Sequence, residues 1–133
     1  MKKRYKVLIT FSAVPFLALS LYIIFLWLSY IDNTVLSGES YGFTIGQTKS
    51  QTYRNVLKSI ERNPKLKIHI NYGPRAGDNM TFSPTNNYIK AQNHNNWSLL
   101  LDGDNEFFNV IRLKFENNKL SEIYRHRKYF EMP

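Results

Sequence analysis

The side chains that could bind a metal or move a proton are few and scattered. The three histidines are His69, His94 and His126, and none has a partner at the spacing of metal ligands. The chain contains no cysteine. His69 falls on the polar side of a predicted strand, so we interpret the histidines as solvated imidazoles. The sequence predicts no metal and no cofactor.

The remaining motifs also argue against catalysis. Residues 102–106 (DGDNE) are acidic but lack the Gly and Glu spacing of a calcium-binding loop, so we expect a hairpin turn. Gly42 and Gly46 lack the Gly and Lys that follow in a phosphate-binding loop. The serines lie in no nucleophile motif. We therefore predict that the protein is not an enzyme.

The densest group of basic residues lies near the C-terminus. Arg112 and Lys114 lie on one predicted strand, and Arg125, Arg127 and Lys128 on the next. Such a basic hairpin could dock an acidic partner or anionic headgroups. It could equally be a solvated sheet face whose charges prevent edge pairing.

A long segment, residues 73–96, carries the other candidate contacts. It is rich in Gly, Pro and Asn, and loops of this length are often functional or disordered. Its candidate contacts are Arg75, Asp78, Phe82 and Tyr88, although aromatic residues there could equally fill the core. Tyr88 and Ile89 could begin a short strand.

The elements that must hold these residues begin with an apolar run over residues 7–31. It contains no charged residue or histidine, and as a helix it would reach about 37 Å, enough for a bilayer. The basic residues of segment 1–6 predict a cytoplasmic N-terminus. A cleaved signal peptide would have a shorter apolar region. We therefore predict a single transmembrane helix over 7–31, a linker over 32–40 and a periplasmic domain over 41–133.

The net charge of +8 divides between these regions. Four of the 18 basic residues and none of the ten acidic ones fall in segment 1–6, so the rest carries 14 − 10 = +4. Half of the basicity is thus an orientation signal and gives no reason to expect nucleic acid as a partner.

The outer region begins with one well-marked helix. Thr48 and Gln51 form a capping-box pattern, and apolar residues follow at helical spacing until Pro64, which predicts a helix over about 49–62. Alternation then predicts strands over 66–72, 97–101, 107–115 and 120–130. Asn117 and Asn118 suit a turn, and a bulge could correct the register that follows. The predicted fold is α+β, with one main helix on a three- to four-stranded antiparallel sheet.

Two stretches of this region resemble a known family. The opening YGFTIGQTK (41–49) and the closing NVIRLKFENNKL (109–120) are similar to the BamE-like (SmpA/OmlA) domains. The resemblance implies a small helix-plus-sheet domain and a role in envelope assembly or scaffolding.

An anchor followed by a small outward domain is also similar to the immunity proteins of bacterial toxin systems, and residues 32–43 (DNTVLSGESYGF) resemble that class. This resemblance implies a bacterial inner-membrane protein that binds and neutralises a toxin by occlusion. The predicted contacts are Arg75, Asp78, Phe82, Tyr88, Arg112, Arg125, Arg127 and Lys128. A further alternative is an accessory subunit whose anchor packs on another membrane protein through Ala13 and Ala18.

Overall fold

The computed structural model describes residues 2–103 and 108–128, with side chains from residue 13 onward. The chain divides into two compact units, residues 31–127 and the remainder. The remainder contains helix α1 (Lys2–Ser29), which has Pro15 in its interior. Most apolar side chains described in α1 are exposed, among them Phe16 and Trp27.

The predicted transmembrane helix is contradicted. Across the residues that the structure describes, no helix has the length and apolarity needed to cross a membrane. The C-terminal end of the prediction also differs from the structure, because Ile31 has left the helix and pairs with Arg127 in a sheet.

Within residues 31–127, the described parts (31–103 and 108–127) contain eight strands, all paired antiparallel. They are β1 (Ile31–Val35), β2 (Glu39–Ser40), β3 (Phe43–Thr44), β4 (Lys67–Asn71), β5 (Asn79–Phe82), β6 (Asn96–Leu100), β7 (Asn109–Glu116) and β8 (Lys119–Arg127). Six form one sheet in the order β1-β8-β7-β6-β4-β5, and β2 and β3 form a separate ribbon. The class is α+β, but the predicted three or four strands are too few.

The additional strands of the large sheet are its two edges. β1 covers the last residue of the predicted anchor and the first four residues of the predicted linker, and β5 lies inside the predicted long loop. β1 is apolar only at its two ends and β5 is only four residues long, so neither shows a sustained alternating pattern in the sequence. The two edges were therefore missed because their composition is that of a loop.

Helix α2 (Lys49–Arg62) confirms the predicted helix and its cap. The Thr48 side chain accepts from the backbone N–H of Gln51, and the Gln51 side chain accepts from the backbone N–H of Thr48. Tyr53 and Val56 of α2 are buried in the core. The helix therefore buries one face of the sheet.

The core lies between α2 and that sheet face, because side chains alternate along each strand. Leu99 and Trp97 of β6 face the same side as Leu113 of β7 and Ile123 of β8. All four are almost fully buried. The Trp97 indole N–H donates to the backbone oxygen of Ala91 at 2.9 Å, which satisfies its polar atom inside the core.

The hairpin of β7 and β8 contains a bulge, which settles the strand register that the sequence analysis left open. Asn117 and Asn118 form the turn with φ of 50° and 63°, a left-handed conformation that Asn tolerates. Phe115 then pairs with Leu120, whereas Lys114 pairs with Glu122, so Ser121 is the extra residue. Its hydroxyl donates to the backbone oxygen of Lys114 at 3.1 Å. The bulge brings Ile123, rather than Glu122, opposite Leu113.

The segment over 73–96 is more ordered than the sequence predicts. Besides β5 it contains helix α3 (Tyr88–Gln92), so the predicted start of a strand at Tyr88 and Ile89 is helical instead. The turn between β4 and β5 is closed by a hydrogen bond from the backbone N–H of Tyr72 to the backbone oxygen of Asp78, at 2.9 Å.

Candidate protein-binding face

The face of the large sheet opposite α2, here called the open face, carries a row of polar side chains across all six strands. Strand register brings one residue of each strand side by side: Thr34, Tyr124, Arg112, Ser98, His69 and Thr81. Each of these residues is exposed or half-buried. They share this face because they alternate with core residues such as Leu113 and Ile123.

A shallow depression of about 470 Å³ lies in the middle of the open face. Its polar lining residues are Thr34, Asn96, Ser98, Arg112, Lys114, Glu122 and Tyr124. The hydroxyl and amide groups can donate or accept hydrogen bonds, while the basic side chains can only donate. The depression therefore suits a polar partner surface that offers acceptors.

Arg112 is the most prominent cation of the depression. Its guanidinium carbon lies 5.4 Å from the centroid of the Tyr124 ring, a cation–π arrangement. Tyr124 in turn stacks on the His126 ring, with centroids 6.3 Å apart. Arg112 is exposed, and within the described part of the chain its guanidinium makes no hydrogen bond or ion pair. Its donors therefore face solvent from a position fixed by an aromatic ring.

Lys114, the other basic residue of the depression, lies beside two acidic residues. The Lys114 ammonium lies 3.2 Å from a Glu116 carboxylate oxygen, and Glu122 is the cross-strand neighbour of Lys114. Farther along the row, His69 Nδ1 lies 2.8 Å from the Thr81 hydroxyl oxygen. Burial lowers the pKa of His69 below its usual value. The cation with uncommitted donors at the centre of the face is thus Arg112.

The structure separates the residues of the predicted basic hairpin. Arg125 and Arg127 lie on the core side of β8, two and four residues beyond Ile123, and Lys128 follows the end of that strand. Arg125 is 7% exposed, and its guanidinium donates to the Val110 oxygen at 3.2 Å and to the His126 backbone oxygen. A second guanidinium nitrogen donates to the Asn109 side chain. Arg125 therefore stabilises the end of the sheet and is not presented to a partner.

The predicted loop residues are also dispersed. Arg75 and Asp78 lie in the β4–β5 turn, where the Arg75 backbone N–H donates to the Asp78 carboxylate at 3.1 Å. Phe82 is buried in the core. Tyr88 is half-buried, and its ring lies 5.0 Å from that of Tyr53. None of these four residues lines the depression around Arg112.

Of the polar residues that line the depression, only Arg112 was among the predicted contacts, and three of the missed ones show why. Thr34 could not be found because β1 was not recognised, and Tyr124 could not be assigned to a face without the bulge. Ser98 could have been assigned to the polar face from the sequence, because it lies between Trp97 and Leu99 on a predicted strand.

The described residues contain no group of three or more His, Asp or Glu side chains placed to hold a metal ion. The arrangement on the open face can bind by hydrogen bonds, charge and ring contacts. Comparison of the chain with protein-family models, curated proteins and solved structures finds no match. The resemblances to BamE-like domains and to immunity proteins therefore stay predictions.

Proposed function

We propose that residues 31–127 form a binding module for a protein with an acidic surface, and that this partner is a toxin neutralised by occlusion. The observation that carries the proposal is Arg112, held on the Tyr124 ring with its donors uncommitted, at the centre of an exposed sheet face. The identity of the partner as a toxin rests on the resemblance to immunity proteins.

The geometry of Arg112 favours a carboxylate. A guanidinium presents a planar set of donors that can bind both oxygens of an Asp or Glu side chain. The Tyr124 ring restricts the Arg112 side chain before the partner arrives, which lowers the entropy lost on binding. Arginine and tyrosine are also the residue types that most often dominate binding energy at protein interfaces.

The size of the open face fits a protein better than a small molecule. Six strands at a spacing of about 4.8 Å place the outer strands about 24 Å apart. A face of that width can supply the ~800 Å² that each partner buries in a stable complex. The charge of +4 outside segment 1–6 would speed the approach of an acidic partner.

The experiment uses the full chain and the product of the adjacent gene as the candidate toxin. Binding and protection of growth are measured for the wild type, for Arg112→Glu and for Arg62→Glu. Arg62 is exposed at the end of α2, so Arg62→Glu makes the same change of charge away from the open face. We expect Arg112→Glu to weaken binding about 100-fold and to abolish protection, because a carboxylate would then oppose a carboxylate.

Arg62→Glu is expected to keep both binding and protection. Equal losses in the two variants would attribute the effect to net charge and overturn the role of the open face. Absence of binding and protection by the wild type would overturn the toxin proposal. Co-purification with resident envelope proteins instead would favour the assembly or scaffolding role. The periplasmic location also stays a prediction, which a reporter enzyme fused to the C-terminus can test.

A further inference from the structure

A cleft of about 400 Å³ lies between α2 and α3, on the helical side of the domain. Its lining residues are Ser50, Tyr53, Arg54, Leu57, Asn86, Tyr88 and Ile89. None of them belongs to the open face, so this cleft is a separate surface. Its volume lies within the range of clefts that receive ligands or partner side chains.

The floor of the cleft is held in place by the core. The Tyr53 hydroxyl donates to the Pro84 backbone oxygen, and the Tyr53 ring lies 6.0 Å from the Trp97 ring in an edge-to-face arrangement. Burial raises the pKa of Tyr53, so the hydroxyl remains a donor at neutral pH. Because these contacts exist before any partner binds, little ordering of the floor is required on binding.

The loop that precedes α3 is fixed in the same way. The Asn87 side-chain amide donates to the Ser83 oxygen at 2.9 Å and to the Thr85 oxygen at 3.0 Å. These two bonds hold the loop against Asn87, the residue immediately before α3, and so fix where the helix that carries Ile89 begins. One wall of the cleft is therefore as well defined as its floor.

Both walls present aliphatic side chains to solvent. Ile89, in the five-residue helix α3, is 75% exposed, although a polar residue is the usual choice at so exposed a position. Leu57 on the facing helix is 37% exposed. Together with the half-buried Tyr88 they form an apolar patch in a concave site, which is the usual form of a site for a partner's side chain.

The rim of this apolar patch is cationic. Arg54 lines the cleft, and Lys58 follows it one helical turn later on the exposed side of α2. Neither side chain makes a hydrogen bond or ion pair within the described part of the chain. None of the described lining residues is acidic. Aliphatic walls with a cationic rim are complementary to a segment that combines aliphatic side chains with carboxylates.

We propose that the α2–α3 cleft binds an amphipathic acidic segment of a partner protein. The aliphatic side chains of that segment occupy the space between Leu57 and Ile89, and its carboxylates face Arg54. This site is independent of Arg112 and does not rest on the function proposed for the open face.

The test measures binding of fluorescein-labelled peptides to the full chain by fluorescence anisotropy. The probe is a short helical peptide with leucines on one face and glutamates on the other. One control peptide replaces the glutamates with lysines, and a second replaces the leucines with serines. We expect the probe to bind and both control peptides to bind at least about tenfold more weakly, since each lacks one half of the complementarity.

Five variants locate the site. Ile89→Ser and Arg54→Glu should each weaken probe binding about tenfold. Leu36→Ser and Arg62→Glu are matched controls, because Leu36 is 67% exposed outside the cleft and Arg62 is an exposed arginine at the far end of α2. Both controls should bind like the wild type, and so should Arg112→Glu.

The contrary results are equally definite. Failure of the wild type to bind the probe, or equal binding of either control peptide, would overturn the proposed chemistry. Equal losses in Leu36→Ser and Ile89→Ser would show non-specific adsorption and overturn the site. Loss of probe binding in Arg112→Glu alone would move the acidic segment to the open face. Because Arg112→Glu is tested separately, failure here leaves the proposed toxin binding unaffected.

Discussion

Two arginines on adjacent strands show how differently the faces of one sheet use the same side chain. Arg125 of β8 pairs with Ile111 of β7, and Arg112, the next residue of β7, pairs with Tyr124. Arg125 lies on the core side, and its guanidinium donates hydrogen bonds to backbone oxygens and to the Asn109 side chain. Arg112 lies on the open face, and its guanidinium donates no hydrogen bond to the described residues. One step along a strand therefore decides whether a guanidinium holds the fold or remains available for a partner.

The largest expected effect comes from removing the inner arginine. Arg125→Met should lower the free energy of unfolding by about 3 kcal/mol, because buried acceptors around Val110 and Asn109 lose their donors. Arg112→Met should cost about 1 kcal/mol or less, the value of an exposed cation–π contact. Urea denaturation of both variants measures the difference. Equal losses would show that exposure does not separate the roles of the two arginines.

Two lysines sharpen the same comparison. Lys49 at the start of α2 is 6% exposed, and its ammonium donates to the Gln92 oxygen at 2.9 Å and to the Asn95 side chain at 2.8 Å. Lys114 on the open face is exposed beside Glu116. At neutral pH, Lys49→Met should cost about 1 kcal/mol, through the lost hydrogen bonds. Lys114→Met should cost about 0.5 kcal/mol or less, as expected for a surface ion pair.

The pH dependence gives Lys49 a signature of its own. Burial lowers the pKa of Lys49 from 10.5, so the folded state binds fewer protons than the unfolded state between the lowered pKa and 10.5. Stability therefore rises with pH through that window. The advantage of the wild type over Lys49→Met should be larger at about pH 10 than at about pH 7, and tyrosine titration cancels in this difference. A constant or shrinking advantage would contradict the assignment.

How much of this fold could be predicted depended on how regular each element is. Helix α2 was predicted to the residue because Thr48, Gln51 and the apolar spacing all indicate the same helix. The central strands were predicted because each alternates between core and solvent. The edges escaped prediction for different reasons: β1 pairs with β8, which is distant in sequence, whereas β5 is a short strand that follows a turn rich in Gly and Pro after β4.

The candidate site was harder to predict than the fold. Composition grouped Arg112 with Arg125 and Arg127, whereas alternation and the bulge at Ser121 place them on opposite faces. A one-residue shift of register moves every side chain to the other face, so a site on a strand after an unlocated bulge cannot be assigned. The α2–α3 cleft was invisible because Ile89 was expected in a strand and not on a helix facing Leu57.

The smallest expected effect concerns His69, which shows that the open face is not uniformly solvated. Burial lowers the pKa of His69 below 6.5, and its Nδ1 is paired with the Thr81 hydroxyl at 2.8 Å. Above pH 6.5 both folded and unfolded states hold a neutral imidazole, so the pKa shift contributes nothing there. As the pH falls from 6.5 through the lowered pKa, the unfolded state binds more protons and stability is lost.

We therefore expect the wild type to lose more stability than His69→Gln between about pH 7.5 and about pH 5, by about 0.5 kcal/mol or less because solvent screens a half-exposed group. Urea denaturation of both proteins at the two pH values measures it. Equal losses would mean that the imidazole is hydrated as fully in the folded state as in the unfolded state. The open face would then show no desolvation at the His69 position of its row.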